Sequence, residues 1–79
     1  MTYISYAVNR MNKVLKSFGK SVRAHRTKLG LSQEELADKI GRDTRSIVAI
    51  EAGRRNTTIM TLHRLSKALG TTIEKLLSF

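Results

Sequence analysis

Seventy-nine residues make one domain, whose small core contributes only a few kcal/mol, so helix caps and a partner subunit matter more than in a large protein. The absence of Cys excludes disulfides and thiolate metal sites, and the absence of Pro leaves helices unobstructed. The formal charge of +9 is unevenly placed: residues 1–33 hold Arg10, Lys13, Lys16, Lys20, Arg23, Arg26 and Lys28 and no acid, whereas 34–79 hold eight bases and six acids, a balance that draws the chain to polyanions.

In chain order, Ile4, Val8, Met11, Leu15 and Phe18 recur at steps of 4, 3, 4 and 3, an amphipathic helical stripe. Val22 and Leu29 extend it, with Gly19 as an interruption. This predicts a helix near 3–17 and another near 18–29, separate or fused, closed by Gly30. The first is set apart as a basic amphipathic extension over 1–17, preceding a domain over 18–79. The stripe packs on the domain or across a dimer, touches DNA as a basic arm, or lies on a membrane surface. Ser32 and Glu35 form the S-x-x-E capping box of a helix over 33–40 that buries Leu36, Ala37 and Ile40. Ala37 is small where two helices should cross. Gly41 makes the turn, and Asp43 caps a helix over about 44–52 that buries Ile47 and Ile50. Thr58 caps a helix near 59–69, with Ile59, Leu62, Leu65 and Leu69 inward. Thr72 caps a last turn or two bearing Ile73, Leu76, Leu77 and Phe79. No strand pattern is present, and the expected architecture is all-α: a compact five-helix domain with an extra N-terminal helix.

Two short helices joined by a glycine turn, the second with small, polar and basic residues outward, form a probe for the DNA major groove. Other chemistries lack support. His25 and His63 have no acidic or Cys companions at metal-ligand spacing. Glu34 and Glu35 are adjacent, do not face one another, and are better explained by capping. No Ser has a His–acid arrangement, and there is no Gly-rich phosphate loop. No enzymatic activity, metal or cofactor is expected. No apolar run approaches the ~18 residues of a membrane span. The apolar run at 4–8 is broken by Ser5 and ended by Asn9-Arg10, so no leader peptide is read, and a cytoplasmic protein without a membrane partner is expected.

From about residue 18 to 77 the chain resembles the lambda-repressor/Cro-type, or XRE, helix-turn-helix family. The matching words are Leu29-Gly30-Leu31-Ser32-Gln33-Glu34-Glu35-Leu36-Ala37, Ile50-Glu51-Ala52-Gly53-Arg54-Arg55-Asn56 and Leu65-Ser66-Lys67-Ala68-Leu69-Gly70. The resemblance implies a phosphate clamp at Gln33. It places Thr44, Arg45 and Ser46 at the opening of the recognition helix, Ala49 one turn on, and Arg54, Arg55 and Asn56 in a loop along the DNA backbone. Arg42 is a further phosphate candidate. Arg45 is the first choice for readout, since a guanidinium pairs bidentately with guanine O6 and N7. Ala49, with the edge of Val48, suits a thymine methyl. Arg26 and Glu51 match a structural ion pair tying the first helix to the recognition helix.

The first ~15 residues have no counterpart in the minimal family domain, and position 52, often polar or basic in relatives, is Ala. The implied protein is a homodimeric transcriptional regulator, a repressor or autoregulatory controller, on a near-palindromic operator. With nothing left over for effector sensing, it resembles phage Cro-like repressors and restriction-modification controllers. The expected interface is Ile73, Leu76, Leu77 and Phe79, with the N-terminal helix as competitor. The alternative is an antitoxin-like or adaptor module that uses the same fold to hold a protein partner.

Overall fold

A computed structural model describes the backbone of residues 3–79 and the side chains of 10–79; Ile4 and Val8 of the expected stripe lie outside the described side chains. The order is α1 (Tyr3–Lys28), α2 (Gln33–Ile40), α3 (Thr44–Glu51), α4 (Ile59–Ala68) and α5 (Ile73–Leu76). The two expected N-terminal helices are one, and α1 runs unbroken through Gly19. That glycine is a point of contact rather than an interruption. A Cβ there would collide with the carbonyl oxygen of Ile50 and lie 2.7 Å from that of Glu51. Without one, α1 and α3 meet backbone to backbone.

Local signals set the helix starts. Ser32 Oγ accepts from the Glu35 amide at 3.0 Å while Glu35 Oε1 accepts from the Ser32 amide at 2.8 Å, a complete capping box. A cap of this kind contributes about 1 kcal/mol. Asp43, Thr58 and Thr72 each cap the amide three residues on. Gly41 has φ 71°, a left-handed conformation that side chains other than glycine rarely adopt, and it turns the chain sharply between α2 and α3.

The core gathers Phe18 and Val22 of α1, Leu36, Ala37 and Ile40 of α2, Ile47 and Ile50 of α3, Leu62, Leu65 and Leu69 around α4, and Leu76 of α5. Helix α3 packs against both α1 and α2, α4 leans on α2, and α5 closes against α1 and α4. Leu31, absent from the expected core, packs against it.

Three residues expected on the apolar stripes are exposed. Ile59 opens α4, where a helical side chain leans back past the helix end, and it is 74% exposed. Leu29 lies in the turn after α1, outside its helical phase, and is exposed. Met11 of the N-terminal stripe is also exposed, beside Val14. Among the described residues no helix is long and apolar enough to cross a membrane.

Candidate nucleic-acid interface

Helix α3 is held from behind by an interlocked polar cluster. Arg26 Nε donates to Glu51 Oε2 at 2.6 Å and Nη2 donates to Oε1 at 2.9 Å, a bidentate pair. Arg26 Nη1 also donates to the Leu31 carbonyl at 2.7 Å, and Gln33 Nε2 donates to Glu51 Oε1 at 3.1 Å. The side chains of Arg26 and Glu51 are 11% and 4% exposed. The carboxylate hydrogen bonds raise the Arg26 pKa above its ordinary value against the opposing effect of burial. One carboxylate at the end of α3 therefore ties down the last turn of α1 and the first residue of α2. Gln33 keeps a second amide N–H beyond the one that Glu51 accepts.

The outer side of α3 begins with Thr44, half-buried, and Arg45, whose side chain is 93% exposed. Arg45 makes a loose 3.4 Å contact with Asp43 that leaves its guanidinium in solvent. Val48 is at the margin of exposure and Ala49 is half-buried one turn on.

Ser46, expected at the opening of the recognition helix, is buried rather than standing in solvent like Arg45. Its Oγ donates to Asp43 Oδ1 at 2.8 Å and accepts from Arg55 Nη1 at 2.8 Å, so the hydroxyl is engaged within the chain both as donor and as acceptor. Ser46 instead links the cap of α3 to the following loop and fixes the Arg55 guanidinium. The Ser46 hydroxyl, and next its amide, hold the Asp43 carboxyl below its ordinary range.

Arg42 Nη2 donates to Thr61 Oγ1 at 3.2 Å, which braces the turn before α3 against α4. Arg42, Arg45 and Arg55 surround Gly41, Asp43 and Ser46 in one open concavity. Arg54 and Asn56 are exposed; the Arg54 amide closes the end of α3 on the Ala49 carbonyl, and Asn56 Oδ1 accepts from the Thr57 amide. The sequence reading missed the parts played by Asp43 beyond capping and by Thr61. The Asp43-x-x-Ser46 spacing, the same three-residue step as the other caps, is the signal that would have turned Ser46 inward.

At the chain's other end, Leu76, expected on the outer surface of the last turn, is completely buried in the core. The apolar periodicity of the last turn could not tell a core position from a surface one. Ile73 is half-buried against the core, while Leu77 and Phe79 are exposed.

Two helices set at a fixed turn, interlocked behind and presenting arginines in front, define a helix-turn-helix unit built to meet a phosphate-lined duplex. The sequence model described as Helix-turn-helix matches residues 22–76, and the chain belongs to the helix-turn-helix family of DNA-binding transcriptional regulators. It is similar to an HTH-type transcriptional regulator of Methanothermobacter thermautotrophicus, 45% identical over 49 residues that make up 62% of this chain and 71% of that protein. Similarity to the control protein C.SmaI of Serratia marcescens is 43% identity over 58 residues, 73% of this chain and 69% of that one. Among solved structures, the restriction-modification controller protein C.AhdI from Aeromonas hydrophila superposes with a TM-score of 0.76 at 37% identity, covering 78% of this chain and 94% of that chain.

Proposed function

We propose that this chain is a homodimeric regulator of the controller kind that reads a near-palindromic operator in the cytoplasm, with α3 of each subunit in the major groove of one half-site. The observation that carries the reading is Arg45, standing in solvent at the start of an α3 whose other side is locked by Arg26, Glu51 and Gln33. Arg45 reads base edges, with Thr44 and Ala49 beside it. The remaining amide N–H of Gln33, together with Arg42, Arg54, Arg55 and Asn56, holds backbone phosphates and sets register. Ser46 acts through Arg55. Leu77 and Phe79, with Ile73 at their margin, meet the partner subunit. The controller assignment is supported by the likeness to C.SmaI and C.AhdI. No catalytic role is assigned.

Selection of bound duplexes from a random pool tests this directly. The expected product is a two-fold symmetric motif with half-site centres about one helical turn apart. Diffuse, salt-sensitive binding without a motif would overturn the reading in favour of a protein-interaction module.

A further inference from the structure

Lys13, Lys16, Lys20 and Arg23 follow one another along α1 at steps of 3, 4 and 3, which puts all four on one side of the helix. All four are exposed. Among the described residues the ion pairs are Arg26–Glu51 and Arg45–Asp43, so none of the four is neutralised by one. No acid lies within residues 1–33. At 1.5 Å per residue the stripe runs about 15 Å, roughly the rise of four base pairs. That length suits a stretch of polyanion rather than a single ion.

The stripe adjoins the loop that follows α3. A Cβ on Gly53 would lie 2.7 Å from Lys16 Cγ and 2.9 Å from its Cα, so the loop backbone rests on α1 at Lys16. One turn further toward the N-terminus, Asn56 shares a shallow cleft with Arg10, Met11, Val14 and Leu15. Arg54 and Arg55 follow Gly53 directly in the chain, so the loop that touches α1 at Lys16 carries two further cations. The family match begins at residue 22, so Lys13, Lys16 and Lys20 precede it.

We propose that Lys13, Lys16, Lys20 and Arg23 form a second phosphate-binding surface that grips duplex backbone outside the half-site read by α3. The proposal rests on the DNA-binding reading above. It adds affinity and footprint without adding sequence preference, because phosphate contacts carry no base information.

The test is the triple variant K13Q/K20Q/R23Q, which spares Lys16 because its stem supports Gly53. Binding is measured over a range of salt on the selected operator, once trimmed to its half-sites and once with about ten flanking base pairs on each side. The expected result is a loss of roughly tenfold or more on the flanked duplex. Its salt dependence becomes shallower by about 2 to 3 in log–log slope, with little change on the trimmed duplex and an unchanged motif. Restoring charge with K13R/K20R/R23K recovers wild-type binding. Equal affinity and slope for variant and wild type on the flanked duplex overturn the proposal, as does an equal loss on both duplexes. A variant that matches wild type on DNA but loses binding to phosphatidylserine vesicles assigns the stripe to a membrane surface and also overturns it. A wild-type chain that selects no motif sinks the regulator reading instead, and the slope difference on random duplex still decides the stripe.

Discussion

Where α1 meets α3, Gly19 lies against the carbonyls of Ile50 and Glu51, and Arg26 clasps Glu51 a few ångströms away. At the start of α4 and the end of the chain, Ile59, Met60, Leu77 and Phe79 stand exposed. The first region is closed by backbone contact and charge-assisted hydrogen bonds, which fix angles as well as distances. The second is left apolar and open to solvent. Directional interactions are concentrated where a helix must be held at one orientation, and apolar surface without them is left at the start of α4 and at the end of the chain.

The sharpest way to break that contrast is Glu51→Ala. It strands the desolvated Arg26 guanidinium, frees Gln33, and should destabilise the fold by about 3–5 kcal/mol in urea unfolding. A loss below about 1 kcal/mol would mean that the polar clasp does not close the junction. Gly19→Ala should cost about 2–3 kcal/mol, although alanine is the better helix former, because the colliding atoms are backbone and cannot rotate away. A stabilised variant would show that α1 and α3 can slide apart freely.

Arg45→Ala should leave unfolding unchanged, relax preference at one base position and weaken operator binding by about 1–3 kcal/mol; an unchanged selected motif would remove Arg45 from readout. In the open region, Leu77→Ser with Phe79→Ser should change stability of the isolated subunit by no more than about 0.5 kcal/mol per site. The pair should nevertheless shift sedimentation toward monomer, and an unaltered mass at all concentrations would place the dimer contact elsewhere.

The smallest effect expected is with acid. The Asp43 and Glu35 carboxyls sit below their ordinary values of 3.8 and 4.5, Asp43 chiefly through the Ser46 hydroxyl and Glu35 chiefly through the Ser32 amide. A depressed folded-state pKa means that the unfolded chain binds more protons. Their contribution is therefore complete above about pH 4.5 and is lost as pH falls through and below the carboxylate range. The thermal midpoint should be level down to that pH and decline below it. The decline should be shallower in Glu35→Gln with Asp43→Asn, which keep both caps without the titrating groups.

Much of the fold was legible residue by residue. The Ser32–Glu35 box, the caps at Asp43, Thr58 and Thr72 and the turn at Gly41 act within one helical turn and place α2, α3, α4 and α5 within a residue or so of their observed limits. The exposed arginines of the candidate site were legible too, because Arg45 lies opposite Ile47 and Ile50 on a short helix. Ser46 was not, since its hydroxyl is claimed by a guanidinium nine residues on. Leu76 and Ile59 exchanged expected roles for a related reason: periodicity says which side of a helix is apolar, whereas burial depends on what the other helices cover.

By itself the sequence determined the kind of structure, the limits of its short helices and the helix-turn-helix pair, because caps, turns and apolar periodicity are short-range energies. Only the tertiary structure decided that α1 is continuous through Gly19, that Ser46 serves Arg55, and that a basic stripe on α1 adjoins the loop after α3. Those outcomes come from groups distant along the chain competing for the same space and the same hydrogen bonds. No local pattern encodes that competition until the helices are packed together.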